Sequence, residues 1–257
     1  MFGIPYDASV YYPSDLLDEY RNIAVSADDV GATVKVTRYR NARHSADQGG
    51  TKDSETVKDG FLDVSKFKIV HEAGGALHLV EVFTGKGSPE DIGRVLGLVW
   101  KYRDDFVKKY KGHHGPQGDC ARLLEESDDP QVVLQAFCDA HVGLDCNGFV
   151  GNFARKIRAP GLGPQISPAQ FYQRRRATRH TLEDVLNLDV IVWADASHIA
   201  VVDSFDASLQ HVSIVQSTGG GPQMSMHGLV PQGNGLFRIA PPTKVAGSVH
   251  VVSLGWS

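Results

Sequence analysis

The run Cys146-Asn-Gly-Phe-Val-Gly-Asn-Phe-Ala-Arg-Lys-Ile constrains the fold of this chain more than any other segment. Phe149, Val150, Phe153 and Ile157 recur at helical spacing. The segment therefore predicts a helix with one apolar stripe that must be buried against a second layer. A loop at 161–168 follows, then a short turn of helix at Thr181-Leu-Glu-Asp-Val-Leu with a capping-box pattern from Thr181 to Asp184. Three strand-like runs come next, at 189–193, 198–202 and 212–216. One helix followed by a small antiparallel meander is an α+β arrangement.

The earlier chain is more mixed. Pro13-Ser-Asp-Leu-Leu-Asp-Glu-Tyr-Arg predicts a short helix with Ser14 as its N-cap. Thr33-Val-Lys-Val-Thr-Arg-Tyr alternates as a strand does, and residues 41–59 predict a long polar loop. Phe67-Lys-Ile-Val-His and Leu77-His-Leu-Val-Glu-Val-Phe predict a strand pair turning near Gly74-Gly75. After Gly85-Lys-Gly, Ser88 suits an N-cap, Pro89 a first turn, and Glu90 and Asp91 the positive end of a helix through Ile92, Val95, Leu96, Val99 and Trp100. Asp129-Pro130 opens a further helix through Val133, Leu134 and Phe137. These signals divide the chain into an N-terminal α/β region, 1–85, of unassigned role, and a second domain, 86–257.

Composition excludes some classes. A net charge of -4 over 257 residues lacks the basic excess of a general nucleic-acid binder. No apolar stretch is long enough to span a bilayer. Met1-Phe-Gly-Ile-Pro-Tyr-Asp lacks the basic and apolar runs of a secretory signal, so synthesis in the cytoplasm is expected, with any export by a specialised route. Cys120, Cys138 and Cys146 are too few for a disulfide framework; one Cys120–Cys138 bridge is an open alternative, and unbridged thiols, at least one of them reactive, are the economical reading.

Cys146 follows Asp145 and opens the striped helix. A helix start carries partial positive charge and backbone N–H groups, which favour a thiolate and an oxyanion. His198 begins an apolar strand, at a sheet rim from which it can act as general base. If 198–202 and 211–216 form a hairpin symmetric about residue 207, Val202 lies opposite Val212 and His198 opposite Gln216. Side-chain alternation then puts Gln216 on the core face with Val212 and Ile214, and His211 on the wet face with Ser213. Gln216, rather than His211, is the residue expected to orient the imidazole through its amide oxygen.

Leu144-Asp-Cys-Asn-Gly-Phe-Val resembles the Asp-Cys-Ser-Gly-apolar-Val motif of the NlpC-type cell-wall peptidases, a branch of the papain-like cysteine peptidases. Leu188-Asp-Val-Ile-Val-Trp resembles that family's Gly-Asp-Leu-Val-Phe-Phe strand, and Ser197-His-Ile-Ala-Val-Val its His-bearing strand. Ile214-Val-Gln-Ser stands where the third polar residue is brought in, and Pro168-Ala-Gln-Phe-Tyr is similar to the polar segment between helix and sheet. The likeness covers roughly residues 140–222 in the family's order. Asn147 stands where the family has Ser, Gln216 where it commonly has His, and the upstream Tyr-x-Trp-Gly-Gly-like segment is absent.

The resemblance implies a papain-like NlpC-type domain, its nucleophile helix packed on a small antiparallel sheet. It implies a cysteine amidase or endopeptidase with Cys146 as nucleophile, His198 as base and Gln216 as orienting group. Asp145 and Asn147 are then the residues expected to meet substrate, a peptidoglycan stem peptide with its free amine. No metal or cofactor is required. A delivered antibacterial toxin or a lytic enzyme fits this reading, with an immunity or delivery protein as partner. The alternatives are an acyltransferase of the same fold, a silent binding module, or a zinc site built from Cys120, Cys138, His141 and Cys146, whose spacings match no common zinc knuckle.

Overall fold

The computed structural model describes residues 10–26, 30–41, 50–240 and 247–255. Met1–Asp7, part of the polar stretch 41–59 and all of 241–246 lie outside those residues, and with them the signal-peptide expectation and the centre of the expected loop. In chain order come α1 (Pro13–Arg21), β1 (Ile23–Ala24), β2 (Thr33–Val34), α2 (Lys52–Val64), α3 (Lys68–Glu72) and α4 (Ala76–Phe83). Next are α5 (Pro89–Lys101), α6 (Arg103–Tyr110), α7 (Pro116–Glu125), α8 (Pro130–His141), α9 (Cys146–Lys156) and α10 (Pro168–Gln173). The strands β3 (Ala177–Thr178), β4 (Val190–Trp193), β5 (Ile199–Asp206), β6 (His211–Thr218), β7 (Gly221–Gly233), β8 (Leu236–Ile239) and β9 (Gly247–Ser253) complete the chain.

The chain divides into two compact units, one of residues 1–18, 146–217 and 223–257, the other of 19–145 and 218–222. The boundary expected near residue 86 falls inside the second unit.

The first unit is a β-barrel. The strands run in the order β9-β4-β5-β6-β7-β8, and β8 pairs back onto β9 to close a six-stranded ring. The short β3 adds beside β9. Ile191, Trp193, Ala200, Val202, Val212, Ile214, Leu229, Phe237, Ile239, Val249 and Val251 form one apolar cluster from alternate positions of these strands. The intervening residues Val190, Val192, Ile199, Val201 and Val215 are also buried. Helix α9 packs on β5 and α10 on β4, which accounts for the continuously apolar runs in those strands. Gly151 makes close packing of α9 possible: a Cβ there would fall 2.2 Å from the backbone nitrogen of Pro164.

This overturns the expected papain-like arrangement of a nucleophile helix on a small antiparallel sheet with an N-terminal α/β extension. The sheet does not stop at β6. Three more strands close it, and the longest, β7, carries Gly, Pro, Gln, Ser and His among its apolar residues, so no apolar run announces it.

The second unit is mainly helical. Phe61 stacks on Phe106 at 4.2 Å between centroids and meets Phe137 edge-on at 6.0 Å, and Phe137 meets Phe83 at 6.3 Å. Each such ring, fully buried, stabilises the fold by about 1.5–3 kcal/mol. The strand pair expected around Gly74-Gly75 is instead α3 and α4. In α4, Leu79, Val82 and Phe83 are buried while Leu77 and Val80 are exposed, a helical spacing that a short apolar run conceals. The C-terminal part of the expected polar loop is α2, which buries Ser54, Val57, Gly60 and Phe61 on one face.

Ser88 and Asp129 cap α5 and α8 as expected, accepting from the N–H groups of Asp91 and Gln131. Helix α1 begins at Pro13, one residue before the expected cap, and the Asp15 carboxylate accepts from the Tyr12 N–H. At 181–186 there is a turn rather than a helix, in which Asp184 accepts from the Thr181 N–H. Residues 33–36 alternate in burial as a strand should, but only Thr33–Val34 pairs with another strand. Gln131 and Gln135, one turn apart on α8, stand in for the missing partner: each side-chain amide both accepts from and donates to the backbone of Thr33 or Lys35 at 2.7–3.1 Å.

Candidate active site

Cys146 is the first residue of α9 and is buried, as are Cys120 and Cys138, and none of the three forms a disulfide. The Cys146 Sγ lies 3.3 Å from the Asn147 Oδ1, which accepts its S–H. Asn147, expected to meet substrate, therefore touches Cys146 itself.

His198 stands immediately before β5, behind a tight turn. The Trp193 N–H donates to the His198 carbonyl at 3.1 Å, and the Ala196 N–H to the Trp193 carbonyl at 2.7 Å. The Asp195 carboxylate braces the turn by accepting the Ser197 N–H at 3.0 Å and its hydroxyl at 2.6 Å. The Trp193 ring meets the His198 ring edge-on at 4.7 Å.

The third expected residue is where the strand argument puts it, by a different register. Val201 pairs with Val215 and Val202 with Ile214, and a bulge follows between Val202 and Ser204. Relative to the symmetric hairpin, the strands are displaced by two residues. An even displacement preserves the face. Gln216 thus lies diagonal to His198 instead of opposite it, and its Oε1 reaches the His198 Nε2 at 2.7 Å. His211 pairs with Asp206 at the far end and is exposed.

Burial holds the His198 pKa below its ordinary value, against the opposing pull of the Gln216 hydrogen bond and the Asp195 charge. The ring is therefore neutral at pH 7, the state in which one nitrogen is a base. Its bond to Gln216 engages Nε2, and among the described residues Nδ1 takes no hydrogen bond.

Two polar residues that the sequence reading passed over continue the line. The Gln216 Nε2 donates to the Ser225 Oγ at 3.0 Å, and the His227 Nε2 lies 2.8 Å from the same oxygen. Ser225 and His227 alternate on β7, a period-2 polar pair that would have stood out had that segment been read as a strand.

In the other unit Asp145 is buried, and its carboxylate is paired with the Lys86 ammonium at 2.5 Å. An ammonium of the chain itself thus occupies the carboxylate expected to receive a substrate amine. Of the alternative zinc set, Cys120, Cys138 and His141 are not among the described residues whose ligand atoms lie close enough for one ion. Burial pushes the Cys120 and Cys138 thiols far up, and His141 has its pKa lowered to about 4, by burial first and then by Arg40. Among the described residues the one group with ligand atoms close enough for a single ion is His78, Glu81 and Asp91. Asp91 is already engaged there, by Ser88 at 2.8 Å and His78 at 2.9 Å, as part of the α5 cap. Three arginines are likewise engaged: Arg174 donates to the Gly161 carbonyl, Arg175 to the Tyr172 carbonyl, and Arg179 grips Asp189 at 2.8 and 2.9 Å.

No family model, curated protein or solved structure matches this chain. The likeness to NlpC-type peptidases is therefore one of local motifs. Among the described residues, no helix is long and apolar enough to cross a membrane.

Proposed function

We propose that the chain is a cysteine-dependent amidase or endopeptidase in which Cys146 is the nucleophile, His198 the base and Gln216 the group that orients His198. The observation that carries this reading is the 2.7 Å bond between two side chains, both almost wholly excluded from water, which ties Nε2 and leaves Nδ1 without a hydrogen bond among the described residues. Helix α9, which opens with Cys146, packs on the strand that His198 precedes. A second observation supports the motif likeness. Leu188 adopts a φ of 69°, the left-handed conformation glycine takes readily, at the position where the NlpC-type motif has glycine.

The reaction follows from the groups. The Cys146 S–H gives its proton to the His198 Nδ1 as sulfur bonds to the amide carbon. Backbone N–H groups at the helix start hold the oxyanion. The C–N bond then breaks, and protonated His198 supplies the leaving amine with its proton. Water, deprotonated by His198, attacks the thioester, releasing the acid and the thiol. The motif likeness makes a peptidoglycan stem peptide the substrate, and with it a lytic enzyme or delivered toxin whose partner is an immunity or delivery protein.

The test is incubation of the wild-type chain and Cys146→Ala with peptidoglycan and isolated stem peptides, read by mass spectrometry. Cleavage of one amide by the wild type alone is the expected result. Equal cleavage by both proteins would refute the nucleophile, and cleavage by neither would refute the substrate class.

A further inference from the structure

The His198–Gln216 pair leaves one question open. A glutamine amide turned by 180° presents NH2 in place of oxygen, and would then pair with a lone pair on His198 Nε2, not with its N–H. That orientation would place the proton on Nδ1 and remove the base from the nitrogen left for the thiol. Something must hold the amide the right way round.

We propose that Ser225 and His227 are positioning residues which, with the carbonyl of Ala240, fix the direction of every hydrogen bond in a line ending at His198 and so set its tautomer. The inference rests on the reading of His198 as the base. The line starts from a group with no choice. The Ala240 carbonyl only accepts, so the His227 Nδ1, 3.3 Å away, carries a hydrogen. A neutral imidazole has one N–H, so the His227 Nε2 offers a lone pair, and the Ser225 hydroxyl donates to it across 2.8 Å. Ser225 has then used its single hydrogen. Towards Gln216 it can only accept, so Gln216 presents its NH2 at 3.0 Å. The amide oxygen is thereby turned to His198, whose Nε2 at 2.7 Å must bear the proton. The lone pair falls on Nδ1.

The line requires a neutral His227. The residue is 1% exposed, and burial lowers its pKa, against a smaller raising effect of the Ala240 carbonyl. The surroundings argue that the line is more than incidental. Two residues further along the same three strands, Ala200, Ile214 and Leu229 belong to the apolar filling of the barrel. Ser225 and His227 place polar atoms beside that filling, and these atoms satisfy one another in sequence. Buried polar lines of this kind hold one arrangement only when every member is satisfied.

The test is long-range 1H–15N NMR of the imidazoles in the uniformly labelled full chain at neutral pH, which reads the tautomer of each ring without any substrate. The wild type should show the proton on Nε2 of His198 and on Nδ1 of His227. Ser225→Ala frees the amide to turn and should give a mixture at His198. Ser225→Thr, which keeps the hydroxyl, should restore the single tautomer. His227→Phe, which keeps a ring in the barrel but removes the acceptor, should also give a mixture, and serves if Ser225→Ala does not fold. If amide cleavage is observed, kcat should fall about tenfold or more in Ser225→Ala with KM unchanged. A wild-type His198 protonated on Nδ1, or an Nε2-protonated His198 unmoved in both variants, would overturn the inference. Because the spectrum needs no substrate, a chain inactive on peptidoglycan with the stated tautomers would refute the substrate class and leave the relay standing.

Discussion

His141, the last residue of α8, is 8% exposed, and its Nδ1 is buried with no hydrogen-bond partner among the described residues. Its ring lies against Phe137 at 5.0 Å. Burial and then Arg40 bring its pKa down to about 4 from the 6.5 of an unperturbed ring. A histidine whose folded pKa lies below its unfolded one takes up protons more readily when unfolded. Its stabilising contribution is full above the unfolded pKa and is lost as pH falls through 6.5 towards 4. Linkage across this interval gives a loss of about 2 kcal/mol between pH 7 and 5, and about 3 kcal/mol by pH 4. Replacing the ring by an apolar side chain, His141→Leu, removes the effect. Urea unfolding of both proteins at pH 7, 6, 5 and 4 isolates it, since the lowered His198 and His227 contribute equally to each. The wild type should lose the stated amounts over and above the variant. Parallel curves at all four pH values would refute the account of His141 as a buried neutral ring.

Two further substitutions test how the elements carrying the site are held. Gly151→Ala places a methyl 2.2–2.3 Å from the backbone of Gly163 and Pro164, which cannot yield as a side chain would, and should cost about 2–3 kcal/mol by thermal or urea unfolding. Lys86→Met removes the ammonium beside the buried Asp145 carboxylate and should destabilise by about 3 kcal/mol, a loss that the second change Asp145→Asn should reduce. Additive losses in the double variant would show that the pair is not coupled.

How far the sequence could be read depended on whether a signal was local. The caps at Ser88 and Asp129 and the stripe Phe149, Val150, Phe153 were legible because each states its own element. The His198–Gln216 partnership was legible because side-chain alternation survives a two-residue error of register. The register itself was not, since the bulge after Val202 sets it rather than the symmetry of the turn. Leu77–Phe83 misled because seven residues of apolar and polar alternation fit a strand and a helix equally until burial separates Leu79, Val82 and Phe83 from Leu77 and Val80. Barrel closure was invisible because it is made by β7–β9, where polar residues line part of the inner face. There Ser225 and His227 carry the part of the candidate site that the motifs did not reveal.

The central claim is that Cys146 is an activated nucleophile served by His198. The most direct test is the rate of carboxamidomethylation by iodoacetamide at pH 6, located by peptide mass spectrometry in the wild type and in His198→Ala. An ordinary thiol is almost wholly protonated at that pH and reacts slowly. The account predicts rapid modification at Cys146, little at Cys120 and Cys138, whose thiols burial pushes far up, and a sharp fall at Cys146 when His198 is removed. Modification of Cys146 no faster than that of a small free thiol, and unchanged by His198→Ala, would contradict it.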